Sequence, residues 1–238
     1  MSVRAVCVEL GGGSIQTVVF DEALVPTFLD GAHDNNGAPL LIAVPGIVEG
    51  TRVLAASNLD WYDVDPVEEL GLQGPARVVA NDAAAAALGE SVLRGMPDLA
   101  YLGLGTGIGG AILKGGTVIA TEVFGHRGGF SSLPCPCSRV GCLETVAAGW
   151  ALPDPLPRDR VLGVAAALAR ALRDPTLPDL IVIAGGIARR YPRLVDDVRR
   201  LSPDHHIEIS RAPEVAKSAA PWGLLRLAGL DAGDILAH

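Results

Sequence analysis

Apolar residues fall into short runs separated by glycine- and proline-rich breaks, and most runs have the length of a strand. Val3 to Val8 is a β-branched apolar run that ends in "ELGGGS" and resumes as "IQTVVFD", which predicts strand, glycine turn, strand. "LVPTFL" predicts a third strand ahead of the turn-rich "DGAHDNNGAP", and "LLIAVPG" a buried strand closed by Pro45-Gly46. "ARVVANDAAAAALGE" reads as a strand running into an alanine-rich helix, with Asn81-Asp82 at the junction. "LAYLGLGTGIGGAILKGGTVIATEV" then repeats the opening pattern, a hint of duplicated architecture. Later the period changes. A helix opens over Thr145 to Trp150, and "LPDPLPRD" breaks the chain. "RVLGVAAALARAL" and "YPRLVDDVRRL" carry apolar residues at helical spacing around the buried strand "LIVIAGG". "HHIEIS" predicts a short strand, and "AKSAAPWGLLRLAGL" a closing helix with Pro221 near its start. Hairpins followed by strand–helix alternation predict an α/β fold with a mixed sheet in each half.

Composition narrows the class. The 238 residues make one large domain or two small ones, and 49% hydrophobic against 19% charged residues implies a packed core rather than a disordered chain. A formal charge of −8 with no basic tract argues against a nucleic-acid partner, whose phosphates call for clustered Lys and Arg. The start "MSVRAVCVEL" lacks the pattern of a signal peptide, and no apolar stretch approaches membrane-spanning length. The expectation is a cytoplasmic protein with no membrane and no nucleic-acid partner. In a reducing compartment, clustered cysteines point to metal or redox chemistry before disulfides.

Three motifs bear on chemistry. Gly105-Thr106-Gly107-Ile108-Gly109-Gly110 matches a dinucleotide fingerprint in letters only, because that motif needs a helix directly after it and "AILKGGTVIA" reads as two strands and a turn. Its glycines serve turn geometry, or a loop whose N–H groups approach phosphate, with the Thr106 hydroxyl as a further donor. Asn81-Asp82 before an alanine-rich run suits a helix N-cap, which needs only one of the two. An Asp at the carboxyl end of a strand also stands where a general base would meet a substrate hydroxyl. Most specific is "GHRGGFSSLPCPCSRVGCLE", which offers one set of four zinc ligands in His126, Cys135, Cys137 and Cys142. Cys135 and Cys137 are too close for an easy disulfide, a thioredoxin-like pair would have two intervening residues, and Cys7 lies in a buried strand as core.

In this order the motifs resemble the ROK family (repressors, open reading frames, kinases), from about residue 3 to residue 230. "CPCSRVGCLE" after Gly125-His126 is similar to the family's C-x-C-G-x-x-G-C-x-E after a G-H pair, with Ser138 in place of a glycine. "VVANDAAAAALGE" resembles the stretch with the catalytic Asp, "LGLGTGIGGAIL" the second phosphate loop, "AVPGIVEG" the sugar-side loop and "IVIAGGIA" the adenosine-side glycine pair. The resemblance implies an actin-like ATPase (ribonuclease H-like) fold of two lobes with a central cleft. A smaller lobe would span 1–93. A larger one would span 94–238 and carry the zinc loop 126–142, with the final helix packing back on the first lobe. It implies ATP-dependent phosphorylation of a sugar or cyclitol hydroxyl, with Asp82 as general base and Gly46, Asn81, His126 and Glu144 holding the sugar. Glu9, Gly11, Gly12, Gly105, Thr106, Gly107, Gly185 and Gly186 would bind nucleotide and phosphate with Mg2+, and structural Zn2+ would tie His126 and Glu144 into one rigid loop. A homodimer is implied as well.

The chain also departs from the pattern. The first phosphate loop, D-x-G-G-T-K in the family, stands as "ELGGGS", so Glu9 keeps the charge with an extra methylene and Gly13 has no threonine hydroxyl. The family's sugar-binding Glu three residues before the G-H histidine is Val123, with Glu122 one place out of register. "DGAHDNNGAP" fills the place of a helix, and the segment after Trp150 is shortened. Two readings compete: an active kinase, and a weakly active or inactive sugar- or nucleotide-sensing protein or partner subunit on the same scaffold. A DNA-binding repressor is not expected, because the sequence starts at the first strand without a winged-helix segment and is acidic.

Overall fold

The structure is a computed structural model that describes residues 2–11, 13–121 and 124–230. It divides into two compact units, one made of the described residues up to Gly95 with those from Arg211 onward, the other of Met96–Ser210.

The first unit begins with β1 (Val3–Gly11), β2 (Ser14–Asp21), β3 (Pro26–Asp30) and β4 (Leu40–Val44). Residues 31–39 contain no helix. β5 (Ile47–Glu49), β6 (Arg52–Ala56) and β7 (Trp61–Val64) form a separate antiparallel sheet that the apolar pattern did not predict. Its strands are short and leave Ile47 and Tyr62 more than half exposed, so they carry no buried run to read. α1 (Pro66–Glu69), capped by the Asp65 side chain, leads to β8 (Ala76–Asn81) and α2 (Asp82–Arg94). The main sheet has the order β3-β2-β1-β4-β8; β1, β4 and β8 run parallel and the first three strands are a meander. Successive β1 side chains alternate faces. Val6, Val8 and Leu10 join Leu40, Ile42 and Val44 in one core, while Cys7 and Glu9 take the opposite face. Burial, helped by the Glu9 charge, pushes the Cys7 thiol far up, as suits a core residue.

The second unit contains β9 (Leu99–Leu104), β10 (Ile108–Lys114), β11 (Thr117–Thr121), α3 (Glu144–Ala147), α4 (Arg158–Ala171), β12 (Leu180–Ala184), α5 (Gly186–Arg190), α6 (Pro192–Leu201) and β13 (His206–Ile209). Its sheet order, β11-β10-β9-β12-β13, repeats the order and sense of the first. α4 and α6 close one face over Ile181, Ile183, Leu168, Leu194 and Val198.

From Arg211 the chain returns to the first unit, so the second unit ends at Ser210 and not at the chain's end as the lobe boundary 94–238 had it. The physical reason is α7 (Ala220–Leu227), whose Trp222, Leu224 and Leu225 are buried against the first unit. α7 and α2 meet backbone to backbone: a Cβ on Gly89 would stand 1.8 Å from the Ala219 carbonyl oxygen, and one on Gly223 1.9 Å from that of Ala85. The alanine-rich face of α2 permits this approach. The buried Glu90, 3.3 Å from Arg94, accepts the Arg211 N–H at 3.1 Å and pins the start of the returning segment. Among the described residues no helix is long and apolar enough to cross a membrane.

Candidate functional site

In open α/β sheets, ligands collect at the carboxyl ends of the parallel strands. In the first unit those ends carry Glu9 and Gly11 on β1, Gly46 just after β4, and Asn81-Asp82 at the junction of β8 with α2. Asn81 takes the capping role. Its Oδ1 accepts the Ala84 N–H at 3.0 Å and its Nδ2 donates to the Gly46 carbonyl at 2.9 Å. Asp82 is thereby placed in the first helical turn, where the helix dipole favours a carboxylate, and its Oδ1 accepts the Ala83 N–H at 2.8 Å. Its Oδ2 lies beside the first glycine turn, 3.8 Å from where a Gly11 Cβ would stand. Gly46 has φ +99°, and a Cβ there would meet the Ala55 carbonyl oxygen at 2.1 Å. Only glycine therefore lets the chain turn from β4 against β6 with its carbonyl aimed at Asn81. Glu9 is buried.

The final helix was expected to return to the first lobe, but no motif marked Lys217, just before it, as a neighbour of the glycine turn. Lys217 donates its ammonium to the Gly11 carbonyl at 3.0 Å and also to that of Ser14, and its backbone N–H donates to Gln16 Oε1 at 2.9 Å. Burial lowers the Lys217 pKa, and the Glu9 charge opposes that shift.

In the second unit Gly105, Thr106 and Gly107 form the turn between β9 and β10, and Gly185-Gly186 follows β12 at the same sheet end. Gly185 has φ +94°, and a Cβ would stand 2.3 Å from the Leu104 carbonyl oxygen. Glu144 braces the Gly105–Gly107 turn. Its buried carboxylate accepts the Ile108 N–H at 2.6 Å and the Trp150 indole N–H at 3.4 Å. Gly149 and Trp150 add backbone bonds to the carbonyls of Gly105 and Thr106 at 2.9 and 3.1 Å. Trp150 is a partner that the sequence did not single out, since an indole after an apolar run reads as packing. The Glu144 N–H also donates to the Gly125 carbonyl at 3.0 Å, so the cysteine loop and the glycine turn share one carboxylate residue.

Within that loop the four expected ligands converge: the donor atoms of His126, Cys135, Cys137 and Cys142 lie within 4.8 Å of one another. Cys135 Sγ is 3.8 Å from His126 Nδ1, and the Cys137 and Cys142 sulfurs are 3.6 Å apart. A tetrahedral ion with metal–sulfur bonds near 2.3 Å has ligand–ligand edges of about 3.8 Å. The set fits zinc in number, softness and spacing. Burial pushes the Cys142 thiol up to about 12 and raises Cys135, a cost that a dication offsets by stabilising thiolates. Ser138 takes φ +68°, which explains why a glycine suits this position. Arg127, next to His126, pairs with Asp174 at 2.8 Å and anchors the loop to the segment after α4.

Gly12, Glu122 and Val123 lie outside the described residues. Each other expected site residue stands at the carboxyl end of its own unit's sheet or in the loop braced against it.

Known proteins share the family and fold of this chain. The model of the ROK family matches residues 22–158. Kanosamine kinase of Amycolatopsis mediterranei (strain S699) is 30% identical over 227 residues, covering 79% of this chain and 74% of that protein. A putative xylose repressor of Caldicellulosiruptor sp. (strain Rt8B.4) is 41% identical over 125 residues, 47% of this chain and 31% of that protein. The crystal structure of a ROK family glucokinase from Streptomyces griseus, in complex with glucose and AMPPNP, superposes with a TM-score of 0.75 at 23% identity, covering 97% of this chain and 100% of that one. Two mixed sheets of equal order, with this likeness, are those of the actin-like ATPase fold with its two lobes.

Proposed function

The chain belongs to the ROK family, and from that premise we propose that it is an ATP-dependent kinase for a hydroxyl of a sugar or sugar-like compound. The observation that carries this reading is the placement of Asp82. Asn81 serves the helix cap, and the Asp82 carboxylate lies beside the first glycine turn. In the proposed mechanism Asp82 accepts the proton of the sugar hydroxyl as its oxygen attacks the terminal phosphorus of ATP. Asn81, His126, Glu144 and the backbone at Gly46 hold other sugar hydroxyls, and Asn81 retains a second N–H and a second lone pair for them. Because Glu144 accepts the Ile108 N–H, it also keeps the Gly105–Gly107 turn in shape. Gly11 and Gly12 of the first unit, and Gly105, Thr106, Gly107, Gly185 and Gly186 of the second, are the proposed nucleotide and phosphate contacts. Glu9 is the proposed magnesium ligand, and magnesium, when bound, neutralises phosphate charge. Zinc on His126, Cys135, Cys137 and Cys142 is structural in this reading: it fixes the His126 ring and the start of α3. We further propose a cytoplasmic homodimer.

Relatives such as kanosamine kinase support a carbohydrate acceptor and make amino sugars part of any substrate panel. Val123 favours a second reading, a sugar or nucleotide sensor or partner subunit, because an apolar residue stands where the family pattern has a sugar-binding Glu. The test is magnesium-ATP turnover against hexoses, amino sugars and cyclitols, with Asp82→Asn alongside. Sugar-dependent ADP release should fall by about 10²- to 10⁴-fold in the variant while sugar binding stays. Unchanged turnover removes Asp82 from its role. Binding without turnover for every sugar favours the sensor.

A further inference from the structure

The segment between β13 and α7 does more than connect. Gln16 of β2 grips it twice, its Nε2 donating to the Val215 carbonyl at 3.0 Å and its Oε1 accepting the Lys217 N–H at 2.9 Å. Lys217 is thus held by its own backbone while its side chain crosses to the first glycine turn. There the ammonium meets the carbonyl oxygens of Gly11 and Ser14 at the two ends of the turn. The buried Glu9 is close enough to act on Lys217 electrostatically, and Gly11 adjoins the Asp82 carboxylate. One turn of the first unit therefore gathers a cation, two carboxylates and the glycine backbone. The ammonium thus brings a positive group to a turn whose two carboxylates suit a divalent cation, and a phosphate with its magnesium would meet both kinds of charge there. The family pattern ends this loop with a lysine where the chain has Ser14, so the ammonium arrives here from 203 residues later in the sequence.

We propose that Lys217 is the phosphate-binding cation of the first glycine turn, contacting the terminal phosphoryl group of a nucleoside triphosphate during transfer. The role rests on the kinase reading given above. In the step, the bond from the terminal phosphorus to the bridging oxygen breaks, and its electron pair leaves on the nucleoside diphosphate. The acceptor oxygen forms the new P–O bond and its proton passes to Asp82. Lys217 keeps its proton and compensates the charge on the moving phosphoryl oxygens.

The competing explanation is a staple that only fastens the returning segment to the turn. Lys217→Gln separates the two, because an amide still donates hydrogen bonds and carries no charge. Full-length wild type, Lys217→Gln and Lys217→Arg would be compared by calorimetric binding of magnesium-ATP and of inorganic tripolyphosphate, by sugar binding, by melting temperature and by turnover. The proposal expects Lys217→Gln to lose about tenfold to a hundredfold in affinity for both polyphosphates, with sugar affinity unchanged and Lys217→Arg within a few-fold of wild type. Adding Ser14→Lys to Lys217→Gln should recover part of the loss, which a staple would not allow. Wild-type polyphosphate affinity in Lys217→Gln, with or without a lower melting temperature, overturns the proposal. Should Lys217→Gln fail to fold, a folded Lys217→Arg that loses polyphosphate affinity as strongly overturns it equally. The two readings fail separately. A wild type without turnover on any sugar, whose polyphosphate binding still depends on Lys217, defeats the kinase and keeps the cation. Normal turnover and nucleotide KM in Lys217→Gln do the reverse.

Discussion

The same substitution, Gly→Ala in the interior of a helix, should have opposite signs at two positions of this chain. Gly163 lies on the exposed side of α4, and a Cβ built there meets nothing within 4 Å. The only large effect is helix propensity, so Gly163→Ala should stabilise by about 0.5–1 kcal/mol. Gly223 in α7 would receive the same benefit, but its Cβ would stand 1.9 Å from the Ala85 carbonyl oxygen, 2.8 Å from the Ala85 carbonyl carbon and 2.9 Å from the Gly89 nitrogen. Close C···O contacts settle near 3.3 Å, so α7 would have to withdraw by roughly 1.4 Å. All three atoms belong to backbone and cannot rotate away. Buried Trp222, Leu224 and Leu225 would lose contact with the withdrawal, so the cost lies at or above the upper end of the usual 1–3 kcal/mol for overpacking. The clash exceeds the propensity gain, and the net effect is a loss of about 2 kcal/mol. At about 2–4 °C per kcal/mol for a chain of this size, Gly223→Ala should melt roughly 4–8 °C below wild type and Gly163→Ala about 1–4 °C above. Far-UV circular dichroism melts of both variants are the assay. A Gly223→Ala protein that melts at or above wild type would show that propensity governs this position and that α2 and α7 do not meet through backbone.

Two further outcomes concern the cysteine loop. Metal analysis of the purified protein should find about one zinc per chain, and a strong chelator should lower the melting temperature; a metal-free protein that melts unchanged after chelation removes the zinc assignment. Ser138→Gly should raise stability by about 0.5–1 kcal/mol, since relief of the positive φ, about 1–2 kcal/mol, exceeds the extra unfolded-state entropy of glycine and the exposed hydroxyl makes no contact that would be lost. A melting temperature below wild type would contradict this.

Local order was largely legible in the sequence. Strand, glycine turn and strand over Val3–Asp21 could be read because a buried strand must be apolar and a tight turn between strands must yield to positive φ. The α2 start was legible because cap chemistry acts over three residues, as the Asn81 bond to Ala84 illustrates. The cysteine loop could be read because four ligands within 17 residues can close on one ion whatever the rest of the chain does. By contrast, the β5–β7 sheet is held by local ladder bonds on a surface that leaves Ile47 and Tyr62 exposed, so no hydrophobic period marked it.

Side-chain type and spacing set what each segment can become, since propensity, capping and metal ligation act between near neighbours. The tertiary structure decided which distant segments share a surface. Nothing in "APEVAKSAAPWG" indicates that Lys217 belongs to a turn 206 residues earlier, or that Trp150 supports Glu144. Those contacts follow from packing. Two glycines let α7 lie on α2, Glu90 and Gln16 hold the returning chain, and the ammonium is delivered to Gly11 as a consequence. Burial selects such an arrangement for the whole fold at once, and no single stretch of sequence carries it.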